Sequence, residues 1–159
     1  MNYFRTALAT IAALVLVTAA SGADAVSSSN GLTAAGGPLA IHGYDAVSYF
    51  QEGGPKRGLA AFSTKHGGAV FRFASRANLR AFVRSPERYA PRFGGFCAYG
   101  VSVGKKFDGD PLIYRIVDGE LFFNLNPEIQ TTWEDDLAGN IAKAEELWPQ
   151  IRDKEAADL

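Results

Sequence analysis

Residues 112–127 read "LIYRIVDGELFFNLNP", and no other stretch limits the fold so tightly. Two runs rich in β-branched and aromatic residues flank Asp118-Gly119. Asp-Gly favours the two-residue turn that matches the twist of paired strands, so a β-hairpin is expected. Asn126 then stands where a helix cap belongs, and Pro127 where the first helical turn tolerates a missing N–H. Trp133, Leu137, Ile141, Ala144 and Trp148 continue at helical spacing, with Gly139 as the expected break. A second hairpin is expected in "AAFSTKHGGAVFRFA", residues 60–74, turning at "HGG". Ser75 caps the helix after it, with Leu79, Phe82 and Val83 on one apolar face. "GGFCAYGVSVGKKF", residues 94–107, holds a short helix from Phe96 to Val103. Hairpins alternating with short helices define an α+β domain: a small antiparallel sheet built from hairpins, packed with short helices and a C-terminal helical segment. No internal repeat is visible in the sequence.

The chain of 159 residues opens with a basic "MNYFR" followed by about fifteen uncharged residues and small residues at cleavage spacing, the pattern of a secretory signal peptide. That run is shorter than the ~20 residues a spanning helix needs, so the reading is residues 1–23 as a leader. Residues 24–38 are small, polar and glycine-rich and read as a flexible lead-in. The domain is expected over residues 39–149, and 150–159 as a frayed tail. The expected location is exported, periplasmic or secreted, with no membrane contact after cleavage. Formal net charge is −1 and no basic, aromatic-interleaved patch appears, so nucleic acid is not an expected partner.

Chemistry-bearing residues are few. Cys97 is the only cysteine, and an exported protein usually pairs its cysteines. Its three readings are packing as a small hydrophobe, a redox or nucleophilic thiol activated at a helix start, and a metal ligand. His42 stands beside Tyr44 and Asp45, where a carboxylate could orient an imidazole as a base or ligand. Asp45 reads first as the cap of a short turn carrying Val47, Tyr49 and Phe50. Tyr44 and Tyr99 belong to the core or to a ligand pocket. His66 reads as a solvated turn residue, and Lys105 and Lys106 as a solvated loop. No phosphate loop and no Ser-His-Asp order is present.

Four segments occur in order: "GYDAVSYF", "FRFASRANLRAFVRSPERYAP", "GGFCAYG" and "IVDGELFFNLN". Together they resemble the exported YHS-domain proteins of bacteria over about residues 39 to 149. The resemblance implies a small module of metal-binding type, whose members carry cysteines at two places. This chain departs at both. Asp45-Ala46-Val47-Ser48 has serine where the first cysteine would stand, and Phe73-Ala74-Ser75-Arg76-Ala77-Asn78 has alanine and asparagine in place of the other two. A structural zinc site usually takes four Cys or His ligands. The single methionine, Met1, goes with the leader, which excludes a Met-rich copper chaperone. The expectation is a binding module for a metal ion, divalent or copper, or a small ligand near Cys97, with Cys97 and His42 as metal ligands and His42, Tyr44, Asp45 and Tyr99 around it. Two alternatives stand beside it. One is a thiol redox enzyme or sensor using Cys97, and the other a non-catalytic accessory domain that docks on a partner protein.

Overall fold

The computed structural model describes residues 25–29, 33 and 36–159. The expected leader, 1–23, lies outside the described residues. The fold is α+β, as the patterning requires. Strands β1 (Ser28–Ser29), β2 (Leu39–Ala40), β3 (Leu59–His66) and β4 (Ala69–Phe73) form one sheet in the order β1-β2-β4-β3. Strands β5 (Asp110–Val117) and β6 (Glu120–Asn124) form the second. All pairings are antiparallel except a brief parallel contact of β2 with β4. The helices are α1 (Arg76–Arg84), α2 (Pro86–Tyr89), α3 (Ala98–Ser102), α4 (Pro127–Asp135) and α5 (Leu137–Ile151).

The two hairpins and the helices that follow them are the same unit twice. β3 and β5 have 8 residues each, β4 and β6 have 5, and α1 and α4 have 9. Every element of the second unit starts 51 residues after its counterpart: Leu59 to Asp110, Ala69 to Glu120, Arg76 to Pro127. The details repeat as well. Each long strand carries an irregularity near its start, between Leu59 and Ser63 and between Asp110 and Tyr114. Each turn is left-handed at both residues, Gly67-Gly68 and Asp118-Gly119. Ser75 accepts the Asn78 N–H at 3.1 Å, and Asn126 accepts the Ile129 N–H at 2.8 Å. Phe71 stacks on buried Phe82 at 4.9 Å between ring centres, and their counterparts Phe122 and Trp133 meet at 5.5 Å. Gly58 is pressed against the backbone of Arg72, and its counterpart Gly109 against Phe123, the counterpart of Arg72. Before each hairpin runs a left-handed turn, Ile41–Gly43 and Arg92–Gly95, then "GYDA" in one unit and "GFCA" in the other. The expectation of no internal repeat is therefore corrected. Between residues 57–84 and 108–135 only Gly58, Gly68 and Phe71 recur as identical residues, which is too little to see in one sequence.

Strand β6 sits between two cores. Leu121 and Phe123 join the first, with Tyr49, Phe71, Phe73 and Phe82. Phe122, on the opposite face, joins the second, with Phe93, Phe96, Trp133 and Ala144. A strand covered on both faces loses the polar alternation of a half-exposed one, and "ELFFN" shows this. Tyr49 joins the units: its ring meets Tyr114 and Phe123, and its hydroxyl donates to the Pro111 carbonyl at 2.9 Å.

Several local expectations change. Val83 lies outward, 59% exposed, because α1 turns inward only a narrow stripe, Asn78 and Phe82 with partly buried Leu79. The C-terminal stripe breaks at Asp136, not at Gly139. The Asp136 carboxylate caps α5 by accepting the Gly139 N–H at 3.1 Å, and a side chain on Gly139 would strike that carboxylate. The tail is not frayed at its start. Buried Lys106, expected as a solvated loop residue, donates to the carbonyls of Arg152 at 3.1 Å and Lys154 at 2.6 Å, and Leu159 packs on the second core. An ammonium is well placed there, where a helix ends in unpaired carbonyls. Part of the lead-in is also docked. Val26 packs on the first core, β1 pairs with β2, and the Ser27 N–H donates to the Gly94 carbonyl at 2.9 Å.

Candidate functional site

Asp45 does cap its turn, and it does more. The side chain is fully buried. Oδ1 accepts the Val47 N–H at 2.9 Å, and Oδ2 accepts the Ala74 N–H at 2.8 Å and an amide hydrogen of Asn78 at 2.6 Å. The carboxylate thus joins the turn carrying Ser48–Phe50 to the end of β4 and the first turn of α1. It faces the interior, and neither orients His42 nor reaches a pocket.

The partner of His42 is Asp108. Nε2 lies 2.7 Å from Asp108 Oδ2, and the Ser27 hydroxyl donates to the other oxygen of the same carboxylate. His42 is held by unusual backbone. Ile41 and His42 both take left-handed φ, near +50°, a conformation that costs about 1–2 kcal/mol for a residue with a side chain. It turns the His42 carbonyl to Arg57, which donates from Nη1 at 2.8 Å. The guanidinium lies over the Tyr44 ring at 4.3 Å, a cation–π arrangement. Tyr44 and Arg57 are also bridged through their backbones, as are Phe96 and Asp108 in the second unit. Arg57 and Asp108 are counterparts, one cationic and one anionic.

Together they line a cleft of about 390 Å³ with one wall from each unit. His42, Tyr44 and Arg57 come from the first. Asp108, Asp110, Pro111, Leu112 and Leu125 come from the second. Leu112 and Leu125 expose 57% and 42% of their surface, unusual for leucines beside such charged neighbours. Arg57, Asp108 and the two leucines carry no sequence signal. They belong to no motif, and only the pairing of the units brings them together.

Cys97 lies elsewhere. It precedes α3 as its cap, consistent with the expected short helix, and is 1% exposed. Its sulfur accepts the Gly100 N–H at 3.4 Å and donates toward Asn124 Oδ1 at 3.6 Å. Burial pushes the thiol pKa up, against the opposing pull of backbone N–H groups from Gly100, Leu125 and Tyr99. Tyr99 is half-buried against the second core, and its N–H donates to Asn124 Oδ1 at 3.2 Å. His66 is no solvated turn residue, since its ring sits edge-on to Phe82 at 5.5 Å. Cys97 and His42 do not line one cavity, because the His42 cleft is bounded without Cys97. The donors at Cys97 do not fit a metal. At the sulfur only Asn124 Oδ1 offers lone pairs, and it already accepts from the Tyr99 N–H, while the Gly100 N–H points at the sulfur itself. Among the described residues no three of His, Cys, Asp and Glu converge as a metal-holding group.

Asn124 likewise carries no sequence signal: it ends β6, is fully buried beside Cys97, and its Nδ2 has no hydrogen-bond partner. Compared with known proteins, the chain matches no family model, no curated protein and no solved structure.

Proposed function

We propose that this protein is an exported, YHS-like binding module whose ligand is a small organic acid with a short apolar body, taken in the cleft between the two units. One observation carries the reading: Arg57 is spread on Tyr44 with one nitrogen spent on the His42 carbonyl, in a cleft that also shows two exposed leucines. A guanidinium has five N–H donors in a fork that matches a carboxylate, so donors remain after the bond to His42. Stacking holds the fork in place and lowers the entropy of binding through it. Pro111, Leu112 and Leu125 supply the apolar wall. The His42–Asp108 pair supplies a polar edge for a hydroxyl or carbonyl on the ligand. The ligand site is thereby moved from Cys97, where sequence reading expected it, to Arg57.

Titration of ¹⁵N-labelled protein with acetate, butanoate, hexanoate and inorganic phosphate tests this. Shifts should cluster at His42, Arg57, Asp108, Leu112 and Leu125. Affinity should rise from acetate to hexanoate, and Arg57→Ala should abolish the response. Shifts confined to other surfaces, or phosphate binding as tightly as hexanoate, would count against the reading.

A further inference from the structure

The lead-in reaches the ligand cleft at one residue. Ser27 is buried, and its hydroxyl donates to Asp108, whose other oxygen lies 2.7 Å from His42 Nε2. A carboxylate only accepts, so the serine and the imidazole are both donors there. The pairing of the units explains why a residue from outside them is needed. His42 and Gly94 stand just before "GYDA" and "GFCA" and are counterparts, both left-handed in φ. In the first unit the His42 carbonyl is satisfied by Arg57 at 2.8 Å. In the second, Asp108 replaces that arginine and has nothing to donate. The Gly94 carbonyl accepts the Ser27 N–H instead, at 2.9 Å, and the Ser27 hydroxyl occupies Asp108. One serine thus joins the carbonyl and the carboxylate.

Neighbouring residues hold Ser27 at this point. Val26 packs on the first core, and Ser28 and Ser29 pair with Ala40 and Leu39, directly before the turn that carries His42. Gly94 has no side chain, and a Cβ there would strike the Ala25 carbonyl. Electrostatics gives the contact a role. An acid bonded to Arg57 brings a carboxylate into a cleft whose other wall carries Asp108, and like charges repel. Hydrogen-bond donors on both Asp108 oxygens offset that charge. Loss of the serine hydroxyl would uncover one oxygen and leave His42 as the remaining partner of this carboxylate among the described residues.

We infer that Ser27 is a positioning residue of the cleft. It fixes the Asp108–His42 pair and offsets the Asp108 charge, so that docking of residues 25–29 and binding of the acid favour each other. The coupling rests on the organic-acid reading of the cleft, and the fixing of the pair does not. By linkage, the ligand strengthens the docking by the same factor as the docking strengthens the ligand.

NMR of the full chain tests this in wild type, Ser27→Ala, Asp108→Asn and the double variant, with hexanoate as the probe. Without ligand, Ser27→Ala should shift the His42 ring signals. Hexanoate should bind that variant about tenfold more weakly than wild type, the size expected for one lost hydrogen bond to a charged group. In the Asp108→Asn background the same substitution should change affinity less than about twofold, because the charge it acts through is gone. Saturating hexanoate should slow hydrogen exchange at the Ser27 amide of wild type, a readout that needs no variant. Unmoved His42 signals in Ser27→Ala, equal losses of affinity in both backgrounds, or a Ser27 amide that exchanges no slower with hexanoate would overturn the inference. Wild type that binds no hexanoate at all would sink the organic-acid reading and the coupling with it, while a moved His42 ring would still establish Ser27 as the residue that holds the pair.

Discussion

Replacing Asp45 by alanine removes the acceptor for three donors at once, two of them buried and the third, the Ala74 N–H, partly so. Two are backbone N–H groups, of Val47 and Ala74, and the third is the Asn78 amide, which also donates to Gln51 at 3.3 Å. A buried donor left unpaired costs about 1–3 kcal/mol. The Asn78 amide keeps its Gln51 bond, so two full penalties and part of a third are expected. Relaxation and an entering water recover some of this. The net destabilisation should be about 3–5 kcal/mol, a third or more of the stability of an ordinary domain. Asp45→Asn should cost less than alanine but more than about 1 kcal/mol, because its NH₂ must face one of the same N–H donors. Cys97→Ala, at the corresponding position, should cost only about 1–2 kcal/mol, since a thiol is a weak acceptor and its loss is mainly lost packing. Urea unfolding followed by circular dichroism measures all three variants under one set of conditions. An Asp45→Ala protein within 1 kcal/mol of wild type, or no less stable than Cys97→Ala, would refute the view that this carboxylate ties turn, strand and helix together.

Further measurements bear on other parts of the structure. Gly58→Ala and Gly109→Ala should each cost about 2 kcal/mol or more, because the new methyl would enter the backbone of Arg72 in one case and meet the Gly95 carbonyl and the Phe123 Cβ in the other; a melting temperature within about 1 °C of wild type for either would contradict the close approach. Lys106→Met should cost about 1–2 kcal/mol and remove the hydrogen-exchange protection of residues 152–154, since their carbonyls lose a buried donor. The thiol of Cys97 has its pKa raised by burial, so the folded state holds the proton where the unfolded chain, near its ordinary value of about 8.5, releases it. Stability from this group is complete below that value and falls as pH rises above it. The melting temperature of wild type should therefore drop more steeply than that of Cys97→Ala between neutral pH and pH about 10, and parallel curves would contradict the burial of the thiol.

The parts of this fold legible in the sequence are those fixed by a few adjacent residues. Asp118-Gly119 sets its turn because both residues must take left-handed φ. Ser75 and Asn126 cap because a short acceptor must stand before a helix, and each is seen to accept the expected N–H. The short helix after Gly95 followed from the same local logic. What was not legible depends on residues far apart. Nothing near Asp108 announces that it will meet His42 and Ser27, 66 and 81 residues away. Lys106 reads as solvated because only the return of the tail buries it. The repeat is hidden for a related reason. Its equivalent positions share a physical demand rather than a residue: a large buried ring is met by Phe82 or Trp133, a cap by Ser75 or Asn126, an acceptor by Asp45 or Cys97.

That tolerance explains why the charged residues fall where they do. In a symmetric pair of identical units, the position held by Arg57 and Asp108 would carry the same charge twice across one cleft. Two guanidinium groups or two carboxylates there would repel, and each copy would need a counterion. Divergence to opposite signs removes that penalty and makes the cleft directional, with a cation on one wall and an anion on the other. The same divergence has the opposite result at the inner position. Asp45 keeps its acceptor role and is bonded three times, whereas beside Cys97 the Asn124 Nδ2 is left without a hydrogen-bond partner. A buried donor without an acceptor is a standing cost that apolar replacement would remove, since leucine or phenylalanine at position 124 would extend the second core as Phe73 extends the first. Against that cost stand the bonds that Asn124 Oδ1 accepts from the Tyr99 N–H and the Cys97 thiol. Asn124→Phe should therefore stabilise the protein in urea unfolding if the unpaired Nδ2 outweighs them, by about 1 kcal/mol; a variant less stable than wild type would show that the amide is kept for the Tyr99 N–H.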